Sequence, residues 1–227
     1  LKNQLLSQLS FILLLYSFFY ILKRLIMSNL KSTNLSNSFY TLLSLPSTAM
    51  GFALCVQIAT LSWILNSKYG LNIENISYVW LAGPVAGILG QLIVGRVSDN
   101  VWFWGGRRRP FIVVGGIIAS VMILALPYLD VIQGMLGLES IVGVALVVAL
   151  TLDLAINVSL NPARSIIADV TPQGDARTKG FTWMQTISGF FGVLAYLMGA
   201  FINNYFLIYF GVIFVFLCAV FPAFYIK

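Results

Sequence analysis

Four residues carry the chemistry of the stretch LDLAINVSLNPARSIIAD, Leu152 to Asp169: Asp153, Asn157, Asn161 and Arg164. On a helix of 3.6 residues per turn they fall within roughly 80° of one another, a single polar stripe on an otherwise apolar rod. A carboxylate at such a position binds and releases a proton if a conformational cycle changes its burial or its distance from a cation. The two carboxamides offer the donors and acceptors that a hydroxylated solute needs, and they serve interhelical hydrogen bonding equally well. Arg164 lies ~16 Å from Asp153 along the axis, too far for direct contact on a straight helix. It can meet a solute hydroxyl, a carboxylate on another helix, or the aqueous interface by extending along the bilayer edge. Pro162 removes a backbone donor beside the stripe and crowds the Val158 carbonyl, so a bend is expected there.

The elements that must position this stripe are membrane spans. Of 227 residues, 59% are hydrophobic and 9% charged, against about 25% charge in a soluble domain. Runs of about 20 apolar residues, enough to cross ~30 Å of hydrocarbon, predict spans at Pro46 to Leu65, Ile76 to Gly95, Phe111 to Leu129, Ile141 to Ile167, Phe181 to Ile202 and Phe206 to Tyr225. The fold class expected is an all-α membrane protein, a six-transmembrane-helix bundle. Asp153 then sits near the middle of span four, where a carboxylate costs about 2.5–3.5 kcal/mol to insert. Intramembrane ionisable groups usually mark solute or ion pathways, and a charge that merely pairs with a neighbouring helix is the alternative.

Basic residues set the orientation, because Lys and Arg are retained on the cytoplasmic side. Lys31, Arg96, Arg107 to Arg109, Arg177, Lys179 and Lys227 fall on one side, whereas the opposite gaps hold Lys68 as their only basic residue. Both ends of the six-span unit, residues 46–227, are therefore expected in the cytoplasm, with the protein a multi-pass component of the cell membrane. Residues 1–45 form an N-terminal segment. Within it, residues 1–26 read as translated upstream sequence before a start at Met27, as an extra apolar helix, or least well as a signal sequence, since Lys23 and Arg24 follow the apolar run.

GRVSDNVWFWGGRRRPF, Gly95 to Phe111, joins spans two and three. Its three arginines face an anionic lipid surface rather than nucleic acid, which is not an expected partner. They hold the loop inside, or form a charge latch with Asp99 or with helix ends. Small residues line two further helices: Gly83, Gly87 and Gly90 in span two, and Ser188, Gly192, Ala195 and Gly199 in span five, seams that let helices approach closely. Cys55 and Cys218 lie far apart within apolar runs and read as small hydrophobic fillers, and histidine is absent. No nucleophile–base pair, metal cluster or phosphate-binding glycine loop stands out, so neither an enzyme nor a cofactor or metal site is expected.

Together, WLAGPVAGILGQLIVGRVSD, GRRRPF and LDLAINVSLNPARSIIAD resemble the glycoside-pentoside-hexuronide branch of the major facilitator superfamily, in particular its sucrose transporters, over about Gly51 to Gly199. The resemblance implies a proton-coupled sugar symporter alternating between inward-open and outward-open states. Asp153 matches the fourth-span aspartate of proton coupling, and Arg164 matches an arginine further along that helix, with Asn157 and Asn161 between them as candidate substrate ligands. Gly95, Asp99, Arg107, Arg108 and Arg109 match the cytoplasmic gating motif. Asn100 stands where the plant proteins have arginine, Cys55 replaces a first-span glutamine and the first outer loop lacks histidine, so a sugar is implied without sucrose being fixed. The family has two six-span halves with solute between them, and this chain resembles the N-terminal one. Its expected partners are sugar, protons, membrane lipids and a second six-helix half, supplied by a missing C-terminal half or a second copy. A truncated, non-transporting membrane protein and a half-transporter for a different small solute are the alternatives.

Overall fold

The computed structural model describes residues 36–90 and 108–225, which form helices joined by short turns. Two compact units divide the chain at Leu42 and Leu43, and the packing described below belongs to the second. Helix α1 covers Asn37–Ser67, followed by α2, Ile73–Trp80, and α3, Ala82–Leu89. Next come α4, Arg109–Ala125, a 3₁₀ turn at Leu126–Tyr128, α5, Leu129–Leu136, and the long helices α6, Ile141–Val170, α7, Asp175–Phe201, and α8, Asn204–Tyr225. Five helical segments are long and apolar enough to cross a membrane, and Ile73–Leu89 is a shorter apolar one. The architecture is that of an all-α, multi-pass membrane bundle.

Several boundaries differ from the expected spans, each for a local reason. Helix α1 starts ahead of Pro46 and carries that proline inside it, as transmembrane helices do where neighbours satisfy the freed groups. The second apolar stretch is interrupted at Leu81. Pro84 has no N–H for the Trp80 carbonyl, so the hydrogen-bond ladder is lost there and the helix restarts. Residues 91–95 of that predicted span lie outside the described residues. The third stretch continues beyond Leu129 because the Pro127 turn passes directly into α5, which stops at Gly137 in a left-handed conformation, φ 62°. Helix α6 runs unbroken through Pro162.

At the end of α1, Gly70 adopts φ 63°, which glycine does without strain. Gly70 N–H then reaches back four residues to the Asn66 carbonyl and Leu71 N–H six residues to that of Leu65, which satisfies carbonyls of the last turn. Asn72 starts α2 by accepting the Asn75 N–H through Oδ1 at 3.0 Å.

Helix α6 packs against α2, α3, α4, α5 and α7, while α8 packs on α4 and α7. Close approach of α4 to α6 depends on Gly115, where an added Cβ would lie 2.7 Å from the Ala155 carbonyl oxygen and 2.8 Å from Ser159 Cβ. Ser159 uses that proximity to donate its hydroxyl to the Ile112 carbonyl at 3.2 Å. Helix α1 meets α8 through aromatic rings: Phe52 lies 5.6 Å from Phe210 and 4.7 Å from Phe214, centroid to centroid. Edge-on and offset rings of this kind contribute attraction beyond the area they bury.

Candidate transport site and its helix-end ties

Asp153 is 7% exposed and lies within the bundle, away from the lipid-facing surface. Gln57 of α1 donates from Nε2 to its Oδ2 at 3.0 Å. On the α3 side the carboxyl faces Gly83, where a Cβ would sit 3.7 Å from the same oxygen. Among the described residues Asp153 takes part in no ion pair, so its hydrogen-bonding neighbour is a neutral carboxamide. Sequence reasoning placed Asp153 and missed Gln57, because a lone glutamine in an apolar helix gives no periodic signal.

The rest of the stripe is less uniform than its helical wheel. Asn157 turns back along the helix, donating from Nδ2 to the Asp153 backbone carbonyl at 2.8 Å. It also fills the space left by Gly90, where a Cβ would come within 2.7 Å of Asn157 Cβ. Asn161 is half-buried and Arg164 exposed, and neither has a hydrogen-bond or ion-pair partner among the described residues. Gly83 and Gly90 thus bring α3 against two stripe residues. Gly87 has open space around its Cβ direction.

The small-residue face of α7 packs on α1. Ser188 and Thr48 share a hydrogen bond between hydroxyls at 3.1 Å. A Cβ on Gly192 would lie 3.3 Å from Cys55 Sγ, and one on Gly199 would lie 3.0 Å from Asn204 Oδ1. Ala195 is buried. An apolar groove of about 280 Å³ between α4 and α8, lined by Ile117, Val121, Leu124 and Phe216 among others, shares no residue with the polar stripe.

Of the expected gate residues, Gly95, Asp99 and Arg107 lie outside the described residues. Arg108 precedes α4 and pairs through Nε with Asp169 Oδ2 at 2.7 Å, tying the start of α4 to the end of α6. Arg109 is the first residue of α4. Asp169 closes the stretch that opens at Leu152, and its position at the helix terminus, among the basic loops, is the signal that could have identified it. Beside it Arg177 donates from Nη2 to the carbonyls of Ala168, at 2.7 Å, and Thr171, at 3.2 Å. A guanidinium on the final carbonyls of α6 satisfies groups the helix leaves unpaired and complements its dipole.

The opposite end carries a second tie. Lys68 Nζ donates to the Pro127 carbonyl at 2.5 Å and to Asp130 Oδ1 at 3.1 Å, and Tyr69 OH accepts from Leu129 N–H at 3.0 Å. Desolvation pulls the Lys68 ammonium down, but its bonds to Tyr69 and Asp130 outweigh it and leave the group above its ordinary value of 10.5. Burial leads the effects that raise the Tyr69 phenol above its ordinary range.

A family model described as MFS/sugar transport protein matches residues 39–226. The chain belongs to this major facilitator family. The match runs from the first turn of α1 to beyond the end of α8. The chain is 32% identical to a general alpha-glucoside permease of Schizosaccharomyces pombe over 136 residues, 57% of this chain and 24% of that protein. A sucrose transport protein of Arabidopsis thaliana is 34% identical over 109 residues, 45% of this chain and 21% of the relative. A membrane-associated transporter protein of Homo sapiens is 31% identical over 155 residues, 66% of this chain and 29% of the relative. The chain thus spans less than a third of the length of these relatives.

Proposed function

We propose that this chain is the N-terminal six-helix half of a proton-coupled sugar symporter, with Asp153 as the proton-binding group. The observation that carries the reading is the placement of Asp153: inside the bundle, bonded to the neutral Gln57 at 3.0 Å, with no ion pair among the described residues. A carboxylate locked in a static salt bridge could not change its protonation cheaply, whereas one held by a carboxamide can. The names of the alpha-glucoside and sucrose relatives favour a glycoside or disaccharide as the solute. Asn157, Asn161 and Arg164 supply polar groups along the same helix, and Arg164 is exposed and ready to meet a hydroxyl.

Solute binds between this bundle and a second six-helix half, and transport proceeds by rocking one against the other. Support for a second half comes from the relatives, of whose lengths the aligned segments cover 21–29%, and from the exposed apolar side chains Phe190, Val193 and Phe201 on α7. The basic end, with Arg108, Arg109, Arg177 and Lys179, faces the cytoplasm, in the cell membrane. There the Arg108–Asp169 pair acts as a latch that forms in one conformation and opens in another.

The test is uptake by proteoliposomes holding this half together with its C-terminal half. Asp153→Asn is expected to abolish accumulation driven by an imposed pH gradient while leaving solute exchange. Unchanged gradient-driven uptake by the variant would reject the assignment. Failure of the unmodified, two-half protein to exchange a glycoside would reject the sugar-transport reading itself.

A further inference from the structure

The two amide atoms of Gln57 stand in unequal positions. The residue is 1% exposed; Nε2 donates to Asp153 Oδ2 at 3.0 Å, while Oε1 is buried with no hydrogen-bond partner among the described residues. A buried carbonyl oxygen left unpaired is costly, and in a native structure it calls for a physical reason.

We infer that Gln57 is the positioning residue that reads the protonation of Asp153: its carboxamide reverses when the proton arrives, Nε2 holding the carboxylate and Oε1 the carboxylic acid. The inference rests on the proton-binding role proposed above for Asp153. An ionised carboxyl group only accepts hydrogen bonds, so it faces the amide N–H. Once a proton sits on Oδ2, that oxygen carries an O–H, and the amide N–H opposite sets donor against donor. A half-turn about the last side-chain torsion of Gln57 presents Oε1 instead. That torsion joins a tetrahedral carbon to a planar amide and is broad and roughly two-fold, so the exchange needs no backbone movement.

The surroundings leave the exchange to these two side chains. Gly83 puts no side chain beside the carboxyl on the α3 face, and Asn157 spends its Nδ2 on the Asp153 backbone carbonyl. Charged groups on the elements packed against α6 stand at helix termini: Glu74 of α2, Arg109 of α4, Asp130 of α5, and Asp175, Arg177 and Lys179 of α7. None of them pairs with Asp153. Cys55, on the same helix as Gln57, turns to Gly192 of α7. Helix α1 therefore senses the proton through one carboxamide, whose unpaired oxygen is the acceptor held ready for the other state.

The experiment is infrared difference spectroscopy on the full chain in lipid bilayers, with the glutamine side-chain carbonyls isotopically labelled and pH stepped. A protonated-carboxyl band should appear as pH falls and be lost in Asp153→Asn. One glutamine carbonyl band should shift with the same midpoint; the band itself should vanish in Gln57→Leu, and its shift should vanish in Asp153→Asn. The size-matched Asp153→Asn variant keeps the test decisive if Gln57→Leu does not fold. A titrating Asp153 band with no accompanying glutamine shift overturns the inference and leaves proton binding intact. Absence of any Asp153 titration overturns the proton-binding reading together with it.

Discussion

Arg108 and Asp169 meet Nε to Oδ2 at 2.7 Å, the first standing just before α4 and the second one residue from the end of α6. Asp169 is 54% exposed at its side chain, so water screens the pair. Asp169→Asn should therefore cost less than about 1 kcal/mol of bundle stability. For the latch proposed above, solute-exchange rates should change in Asp169→Arg and in Arg108→Asp, and recover towards the parent in the double variant carrying both. A double-mutant cycle on exchange rates, with stability followed in parallel, measures both.

The α4–α6 contact predicts a sharp contrast between glycines. Gly115→Ala drives a methyl to within 2.7 Å of the Ala155 carbonyl oxygen, backbone that can yield only if the helices part. A loss of about 1–3 kcal/mol, the usual cost of overpacking, is expected in reversible unfolding from detergent micelles. Gly143→Ala, whose added Cβ meets nothing within 4 Å, should be neutral or slightly stabilising, since it removes a glycine from a helix.

Thr48→Val separates packing from hydrogen bonding between α1 and α7, since it keeps the shape and removes the hydroxyl shared with Ser188 at 3.1 Å. Interhelical bonds in membranes average about 0.6 kcal/mol. A stability change near that size, absent when Thr48→Val is made in a Ser188→Ala background, is the expected outcome of the cycle.

The tie at the Lys68 end should hold at neutral pH and fail in alkali. Lys68 titrates above its ordinary 10.5, and Tyr69 is likewise raised. A group whose folded value is raised stabilises fully below its unfolded value, and that contribution is lost as pH climbs through the folded one. Protease cleavage between α1 and α2 should stay slow through pH 10 and rise above it, and Lys68→Met should show the faster cleavage at neutral pH already.

Membrane spans and the polar face of the fourth were legible because they follow from length, hydropathy and a 3.6-residue period, all local properties. The glycine seam of α7 was legible as well, since small residues at helical spacing imply close approach wherever the partner lies. Partner identities were not. Gln57 finds Asp153, and Asp169 finds Arg108, through tertiary packing of helices remote in sequence, and Gln57 stands in an apolar helix with no periodic signal of its own. The interruption at Leu81 had a signal in Pro84, but mean apolarity ran straight across it. The tie from Lys68 to Asp130 depended on a 3₁₀ turn at Pro127, inside the expected third span, that leads on into α5.

At the restart Leu81 keeps right-handed helical angles, φ −64° and ψ −18°, so α3 carries on in the rotational phase that α2 sets. A one-residue insertion in a continuous helix turns everything beyond it by about 100° and would swing Gly83 and Gly90 away from Asp153 and Asn157. Only Leu81 stands between α2 and α3, too little to absorb such an insertion, so the residue count of α2 fixes which face of α3 meets the acidic helix.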